Sequence, residues 1–132
     1  MMSDIVADSI TRIRNASVRK KTSTILLYSK TIESIVRVLE QKSYIESYKV
    51  EEISPSKKSI EVFLKYDEAG KSVITEIKKI STPGRRVYKH SSEIKKFKNG
   101  YGTIIITTSK GILSNDDACK ENVGGEILCT VW

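Results

Sequence analysis

The sequence predicts a two-part α+β chain: an N-terminal α-β-α-β-β half, and a mainly β C-terminal half with short helices. Three observations predict it. Early in the chain apolar residues recur at helical spacing, with Val6, Ile10 and Ile13 forming one stripe and Ile32, Ile35, Val36 and Leu39 a second, fuller one. From Tyr44 the period changes to two, through Tyr44-Glu46-Tyr48-Val50 and then Ile60-Val62-Leu64-Tyr66. Further on, Thr103-Ile104-Ile105-Ile106 is an unbroken β-branched run, which reads as a strand buried on both faces. A length of 132 residues suffices for one compact domain or two small ones. The polar, turn-like Asp67-Glu68-Ala69-Gly70-Lys71 marks the expected boundary, giving halves 1–69 and 70–132.

The elements follow in order. Ser3 or Asp4 can cap the first helix, and Asp8 and Arg12 form an i,i+4 pair on its exposed side. Arg14, Asn15, Arg19, Lys20 and Lys21 cluster at its end and in the following loop, where the helix dipole favours cations. Thr24 to Tyr28 reads as a strand, and Ser29 caps the second helix. Pro55-Ser56-Lys57-Lys58 supplies the turn between two strands so close in sequence that they should pair antiparallel. This order implies helices on one face of a small mixed sheet. Val73 to Ile80 is ambiguous, with β-branched enrichment favouring a strand.

In the second half, Thr82-Pro83-Gly84-Arg85 fits a type II turn with Gly84 at the positive-φ corner. Arg86-Val87-Tyr88-Lys89 is a short strand that interleaves an aromatic ring with cations. Ser91 or Ser92 can cap a short helical turn through Phe97, and Asn99-Gly100-Tyr101-Gly102 leads into the Thr103 strand. That strand runs out through Thr107, Thr108 and Ser109 to Lys110 and Gly111, where glycine permits a tight return through Ile112 and Leu113. Ser114 with Asp117 resembles a capping box, and Asn122 with Gly124-Gly125 ends the helix it opens. Glu126 to Trp132 alternates as a final strand.

Charge narrows the function. The net charge is +7, and residues 78–98 hold eight cations, Lys78, Lys79, Arg85, Arg86, Lys89, Lys95, Lys96 and Lys98, against Glu93 alone. From Gly111 onward the balance turns acidic. Such a local positive field favours polyanions, with nucleic acid ahead of an anionic membrane. No apolar run reaches the roughly 18 residues of a membrane span, and the basic stretch is turn and strand, not an amphipathic helix. The N-terminus lacks a secretion signal, so the expected location is cytoplasmic. Cys119, Cys129 and the single His90 are too few for a structural zinc site, and no cofactor is expected. Enzyme chemistry has no support either: no nucleophile–base pattern and no phosphate-binding glycine loop appears.

RNA binding fits the pieces together. Arg85, Arg86 and Lys89 supply cations for phosphates beside a turn. Tyr88 or Tyr101 offers a flat partner for an unstacked base. Thr107, Thr108 and Ser109 carry short donor–acceptor groups suited to base edges and 2′-hydroxyls, with Lys110 beside them. Taken alone, that hydroxyl triplet reads first as a Ser/Thr-rich hairpin tip, and the surrounding motifs shift the reading toward RNA.

The order of these motifs resembles the bacterial ribosomal protein eight family of the small subunit over essentially the whole chain. The matching stretches are Ala7-Asp8-Ser9-Ile10-Thr11-Arg12-Ile13-Arg14-Asn15-Ala16, Ser29-Lys30, Ser81-Thr82-Pro83-Gly84-Arg85-Arg86-Val87-Tyr88, Thr107-Thr108-Ser109-Lys110-Gly111 and Gly124-Gly125-Glu126-Ile127. The resemblance implies a structural constituent of the small ribosomal subunit that binds the central domain of its RNA and helps assemble it. Thr107, Thr108, Ser109 and Lys110 would touch non-canonical bases, Tyr88 would pack on the RNA, and Arg86, Lys89 and Glu126 would contact backbone or brace the loop. In the N-terminal half Lys30 and Lys57 or Lys58 would reach neighbouring RNA, with Ser29 and Arg14 in the matching motifs. Neighbouring ribosomal proteins would be partners, and family members commonly also bind a mimic of the site in their own messenger RNA. The alternative is a free messenger-RNA-binding regulator using the same surface. Two departures stand out: Thr107 replaces the first serine of the family's hydroxyl triplet, and Tyr28 occupies a position where a small residue is usual.

Overall fold

Capping side chains set where each helix begins. In the computed structural model, which describes residues 4–82, 84–94 and 102–132, Asp4 accepts the Ala7 N–H at the start of α1 (Ile5–Val18). Ser29 accepts the Ile32 N–H for α2 (Lys30–Gln41), and Ser114 accepts the Asp117 N–H for α3 (Asn115–Lys120). Each such cap contributes about 1 kcal/mol. All three helices stop in the same way, at a left-handed residue other than glycine: Lys20 (φ 56°), Ser43 (φ 64°) and Asn122 (φ 54°). In each, that residue and the next donate back to the last turn, as with Ser43 to Glu40 and Tyr44 to Leu39. These are Schellman closures, which satisfy carbonyls the helix end would otherwise leave open.

Contacts divide the chain into two compact units, Met1–Thr75 and Glu76–Trp132. The division lies beyond the expected 69/70 boundary because the polar segment is a local loop that folds back. Tyr66 bridges Ser72, and the Val73 N–H donates to the Lys65 carbonyl, so the residues after Gly70 stay with the first unit.

In the first unit β1 (Ser23–Leu27), β2 (Ile45–Ser54) and β3 (Lys57–Leu64) form a sheet in the order β1-β3-β2. Both pairings are antiparallel, so the sheet is not the mixed one the element order suggested. α2 connects β1 and β2, the two edge strands, and the Pro55-Ser56 turn slots β3 between them. Leu26, Ile60, Val62 and Leu64 are buried, as are Ile10, Ile13, Ile32, Ile35, Val36 and Leu39 from the two helices. Ile25 and Leu27 are more than half exposed, so one face of the edge strand is covered and the other open.

The second unit is organised by β8 (Gly125–Val131). β6 (Thr103–Thr108) pairs along one side of it, and β7 (Gly111–Ser114) continues the sheet beyond β6. On its other side β8 pairs in tandem with β4 (Ile77–Lys79) and β5 (Tyr88–Lys89). Ile104 and Ile106 pack with Ile94, Ala118 and Ile127 in one core cluster, while Ile105, Cys129 and Val131 are wholly buried. Fully burying an isoleucine or valine side chain is worth about 1.5–3 kcal/mol. The expected strand over 73–80 shrinks to β4. The expected helical turn after Tyr88 is a 3-10 helix, Ser91–Glu93, with His90 rather than a serine at its N-cap position. Phe97 lies outside the described residues. Among the described residues no helix is long and apolar enough to cross a membrane.

Candidate RNA-binding surface

Two consecutive glycines bring the distant site segments together. In register, Gly125 on β8 lies opposite Lys89 on β5 and Thr108 on β6. A Cβ on Gly125 would overlap the Thr107 carbonyl, and one on Gly124 would overlap the Lys89 carbonyl. Only a chain without side chains at these two positions can run between the two strands. The sequence had suggested the pair merely as a helix stop.

The next register row is Tyr88, Glu126 and Thr107, side by side across three strands. Residues opposite one another in antiparallel strands share a face, so these three side chains emerge together. Tyr88 is 66% exposed. Arg86 Nη1 donates to Glu126 Oε2 at 3.1 Å, which brings the guanidinium to the same row. Lys89 and Thr108 belong to the Gly125 row, whose side chains leave by the opposite face. An open cleft of about 490 Å³ runs along Tyr88, Lys89, His90, Gly124 and Gly125. His90, which the sequence reading left without a role, joins the surface here. Its N–H donates to Glu93 Oε1 at 2.9 Å, and that bond holds the Glu93 carboxyl below its usual range.

The hydroxyl turn follows from its own bonds. Thr108 pairs with Gly111, leaving Ser109 and Lys110 as the two turn residues, and Gly111 takes φ 103°. The Thr108 hydroxyl accepts the Lys110 N–H at 3.0 Å and donates to the Gly111 carbonyl at 2.8 Å. It is occupied within the turn. Ser109 is exposed at the tip, and Lys110 Nζ lies 3.3 Å from Oε1 of Glu121, the residue that follows α3. The three hydroxyls that look equivalent in sequence therefore differ: Thr107 stands in the tyrosine row, Thr108 closes the turn, and Ser109 faces outward.

Arg85 sits at a tight turn in which Thr82 and Arg85 exchange both backbone hydrogen bonds. The Arg85 N–H donating to the Thr82 carbonyl is the bond that closes a four-residue turn, where the sequence placed one; Pro83, at its first corner, lies outside the described residues. Buried Ser81 holds the same loop by accepting the Val87 N–H at 2.9 Å. Lys95, Lys96, Lys98 and Tyr101 also lie outside the described residues.

The remaining expected residues belong to the first unit. Ser29 is the α2 cap, with Lys30 exposed beside it. Lys57 and Lys58 line a cleft of about 430 Å³ with Tyr28, and Lys58 Nζ lies 5.3 Å from the centre of the Tyr28 ring. The Tyr28 hydroxyl donates to Glu33 Oε1 at 3.0 Å, which raises its pKa. Arg14, on α1, is half-buried.

Comparison with known proteins covers the whole of this fold. The family model described as Ribosomal protein S8 matches residues 4–132. The chain belongs to the ribosomal protein S8 family. Curated members agree from end to end. The small ribosomal subunit protein uS8 of a Nitratiruptor species is 64% identical, that of Campylobacter jejuni 61%, and that of Campylobacter lari 58%. Each comparison covers 100% of this chain and 100% of the relative. The family is one of structural RNA-binding proteins rather than enzymes.

Proposed function

We propose that this chain is a structural constituent of the small ribosomal subunit, residing with it in the cytoplasm, and that it grips ribosomal RNA through the surface built on β8. Family membership supports the ribosomal assignment. The observation that carries the site is the convergence of Arg86, Tyr88, Glu126 and Thr107 in one row beside the exposed Ser109 tip.

Each part does separate work. Tyr88 offers a flat face for a base or sugar, and the Arg86 guanidinium, held by Glu126, meets backbone phosphate. Ser109, whose hydroxyl is not part of the turn's own bonding, reads a base edge or 2′-hydroxyl. Thr108 acts indirectly by fixing the turn that presents Ser109. We place the RNA partner in the central domain of the small-subunit RNA, where binding helps order the surrounding assembly. A messenger RNA that mimics this site would occupy the same surface.

Footprinting on complete small-subunit ribosomal RNA tests the reading. Protection of one central-domain helix is expected, and it should be lost in the Ser109→Ala protein. Cosedimentation with small subunits at high salt separates the ribosomal role from that of a free messenger-RNA-binding regulator, which would not track with subunits. A log–log salt slope of about −3 to −7 is expected if about four to eight phosphates are neutralised. A slope near zero would remove the basic segment from the account.

A further inference from the structure

His90 is the one histidine of the chain, and it lines the cleft beside Tyr88 and Gly124 with no part yet in RNA recognition. Its backbone is extended, with φ −78° and ψ 159°. Successive extended residues project to opposite faces, so His90 returns to the face that carries Tyr88 while Lys89 leaves by the other. His90 follows Lys89 on one side of Gly125, and Ser109 follows Thr108 on the other. The two therefore stand at the same end of the sheet, two strand spacings or about 10 Å apart. Between them the chain passes through Gly124. A Cβ there would lie 2.8 Å from the His90 Cα, so the neighbouring chain is close yet places no side chain beside the ring.

The support for this residue is rigid. The His90 N–H donates to Glu93 Oε1 at 2.9 Å, and its carbonyl accepts the Glu93 N–H at 2.9 Å. The Cys119 thiol donates to the Ser91 carbonyl at 3.3 Å and the Ser91 hydroxyl to Asn122 Oδ1 at 3.1 Å, tying the short turn to α3 and the residues after it. The ring is exposed and makes no capping hydrogen bond to the turn it precedes. Among the described residues no salt bridge engages it. Lys89 and Glu93 flank it on its own segment, and the Glu93 carboxylate is committed to the His90 N–H. From β8 the charged side chain is Glu126, which holds Arg86. From the α3 side Cys119 is taken up by Ser91, and Glu121 lies 3.3 Å from Lys110 Nζ. Each of these three carboxylates has a partner of its own, which leaves the ring for a ligand.

We propose that His90 is a proton-linked RNA contact, whose protonated ring meets a backbone phosphate that enters the cleft over Gly124. The bare glycine lets a sugar-phosphate strand come down to the sheet beside the ring. Histidine is the side chain whose charge changes between about pH 5 and 8, and a phosphate next to it favours the charged form. Binding therefore takes up a proton. The contribution is present in mild acid and is lost as pH rises through that range. Arginine and lysine stay charged throughout it, so the dependence singles out one residue.

Such a contact presupposes the RNA-binding reading of the β8 surface and adds a regulating variable to it. The test measures affinity from pH 5.5 to 8 at fixed ionic strength, using the small-subunit RNA fragment that the wild-type protein protects. Wild type, His90→Gln and His90→Lys are compared, and protonation of the RNA itself is common to all three. Wild type should bind about threefold to tenfold more tightly at pH 5.5 than at pH 8. Relative to that curve, His90→Gln should stay at the pH 8 affinity throughout and His90→Lys at the pH 5.5 affinity. The wild-type salt slope should be steeper by about one at pH 5.5, with no such change in His90→Gln. Parallel pH curves for wild type and His90→Gln would overturn the proposal. So would a loss in His90→Gln that is equal at every pH, which would make the ring a stacking partner. Tyr88→Ala, run on the same fragment, keeps the two readings apart. Normal binding by that variant would sink the β8 reading, while the pH difference between wild type and His90→Gln still decides whether His90 carries the proton.

Discussion

Arg86 and Glu126, forty residues apart in sequence, meet through a 3.1 Å hydrogen bond at the end of the β8 sheet. The Glu126 side chain is only 16% exposed, whereas that of Arg86 is half exposed. The carboxylate is thus a fixed post and the guanidinium the group it aims. Charge alone predicts that neutralising Glu126 strengthens RNA binding. Orientation predicts the opposite, and orientation should win: Glu126→Gln should weaken cognate RNA binding about threefold to tenfold while the salt slope holds within about one unit. Tighter binding by the variant, measured by filter retention, would sink this account of Arg86.

The hydroxyl turn yields a split between neighbours. Thr108→Val removes an oxygen that both accepts from Lys110 and donates to Gly111. It should cost about 0.5–1.5 kcal/mol of stability and lower the melting temperature. Ser109→Ala should stay within about 0.5 kcal/mol of wild type in stability yet lose about 1–3 kcal/mol of affinity for cognate RNA. Paired melting curves and binding isotherms check both. Equal melting losses would make Ser109 another turn former.

Gly125→Ala should be the most damaging single change near the site. Its methyl group would overlap the Thr107 carbonyl, so β6 must move away from β8. A loss of about 1–3 kcal/mol is expected, together with weaker RNA binding even at temperatures where the variant remains folded. Wild-type melting would show that the strands have slack there.

Helix ends offer a stabilising change. Ser43 holds φ 64° after α2, a conformation that glycine adopts without the usual steric cost. Ser43→Gly should raise stability by about 0.5–1 kcal/mol in urea unfolding, with RNA affinity unchanged. Destabilisation would mean that the serine side chain makes a contribution larger than the strain.

Burial pushes the Cys129 thiol up to about 12. Its folded pKa lies above the ordinary value of 9.0, so the folded chain keeps a proton that the unfolded chain releases. The resulting stability is complete below pH 9 and is lost as pH rises through the folded pKa, at up to about 1.4 kcal/mol per pH unit. Lysines and tyrosines titrate in the same window, so the informative quantity is the difference between wild type and Cys129→Ala. Wild type should fall more steeply above pH 9. Parallel curves would show that the thiol opens to solvent.

Local signals were legible in the sequence because local chemistry produces them. Asp4, Ser29 and Ser114 cap the helices that their spacing announced, and Pro55-Ser56 turns the hairpin between β2 and β3. What stayed hidden depends on long-range register. Nothing near Tyr88 shows that it lies beside Glu126, and the irregularity between Ile105 and Ile106, opposite Leu128, interrupts the simple alternation expected of β8. The roles of Gly124 and Gly125 required knowing which strands pass on either side. The division of labour between Thr108 and Ser109 turns on a hydroxyl rotamer that composition cannot express.

The position of β8 has a consequence for the timing of synthesis. β4, β5 and β6 all precede it in the chain, and all three pair with it. A nascent polypeptide that has not reached Gly125 holds Tyr88 and Thr107 in hand but has nothing to align them. The Tyr88–Glu126–Thr107 row therefore comes into being only when the strand from Gly125 to Val131 has been translated and inserted. Incomplete chains carry the positive charge without the row that the proposed RNA reading depends on.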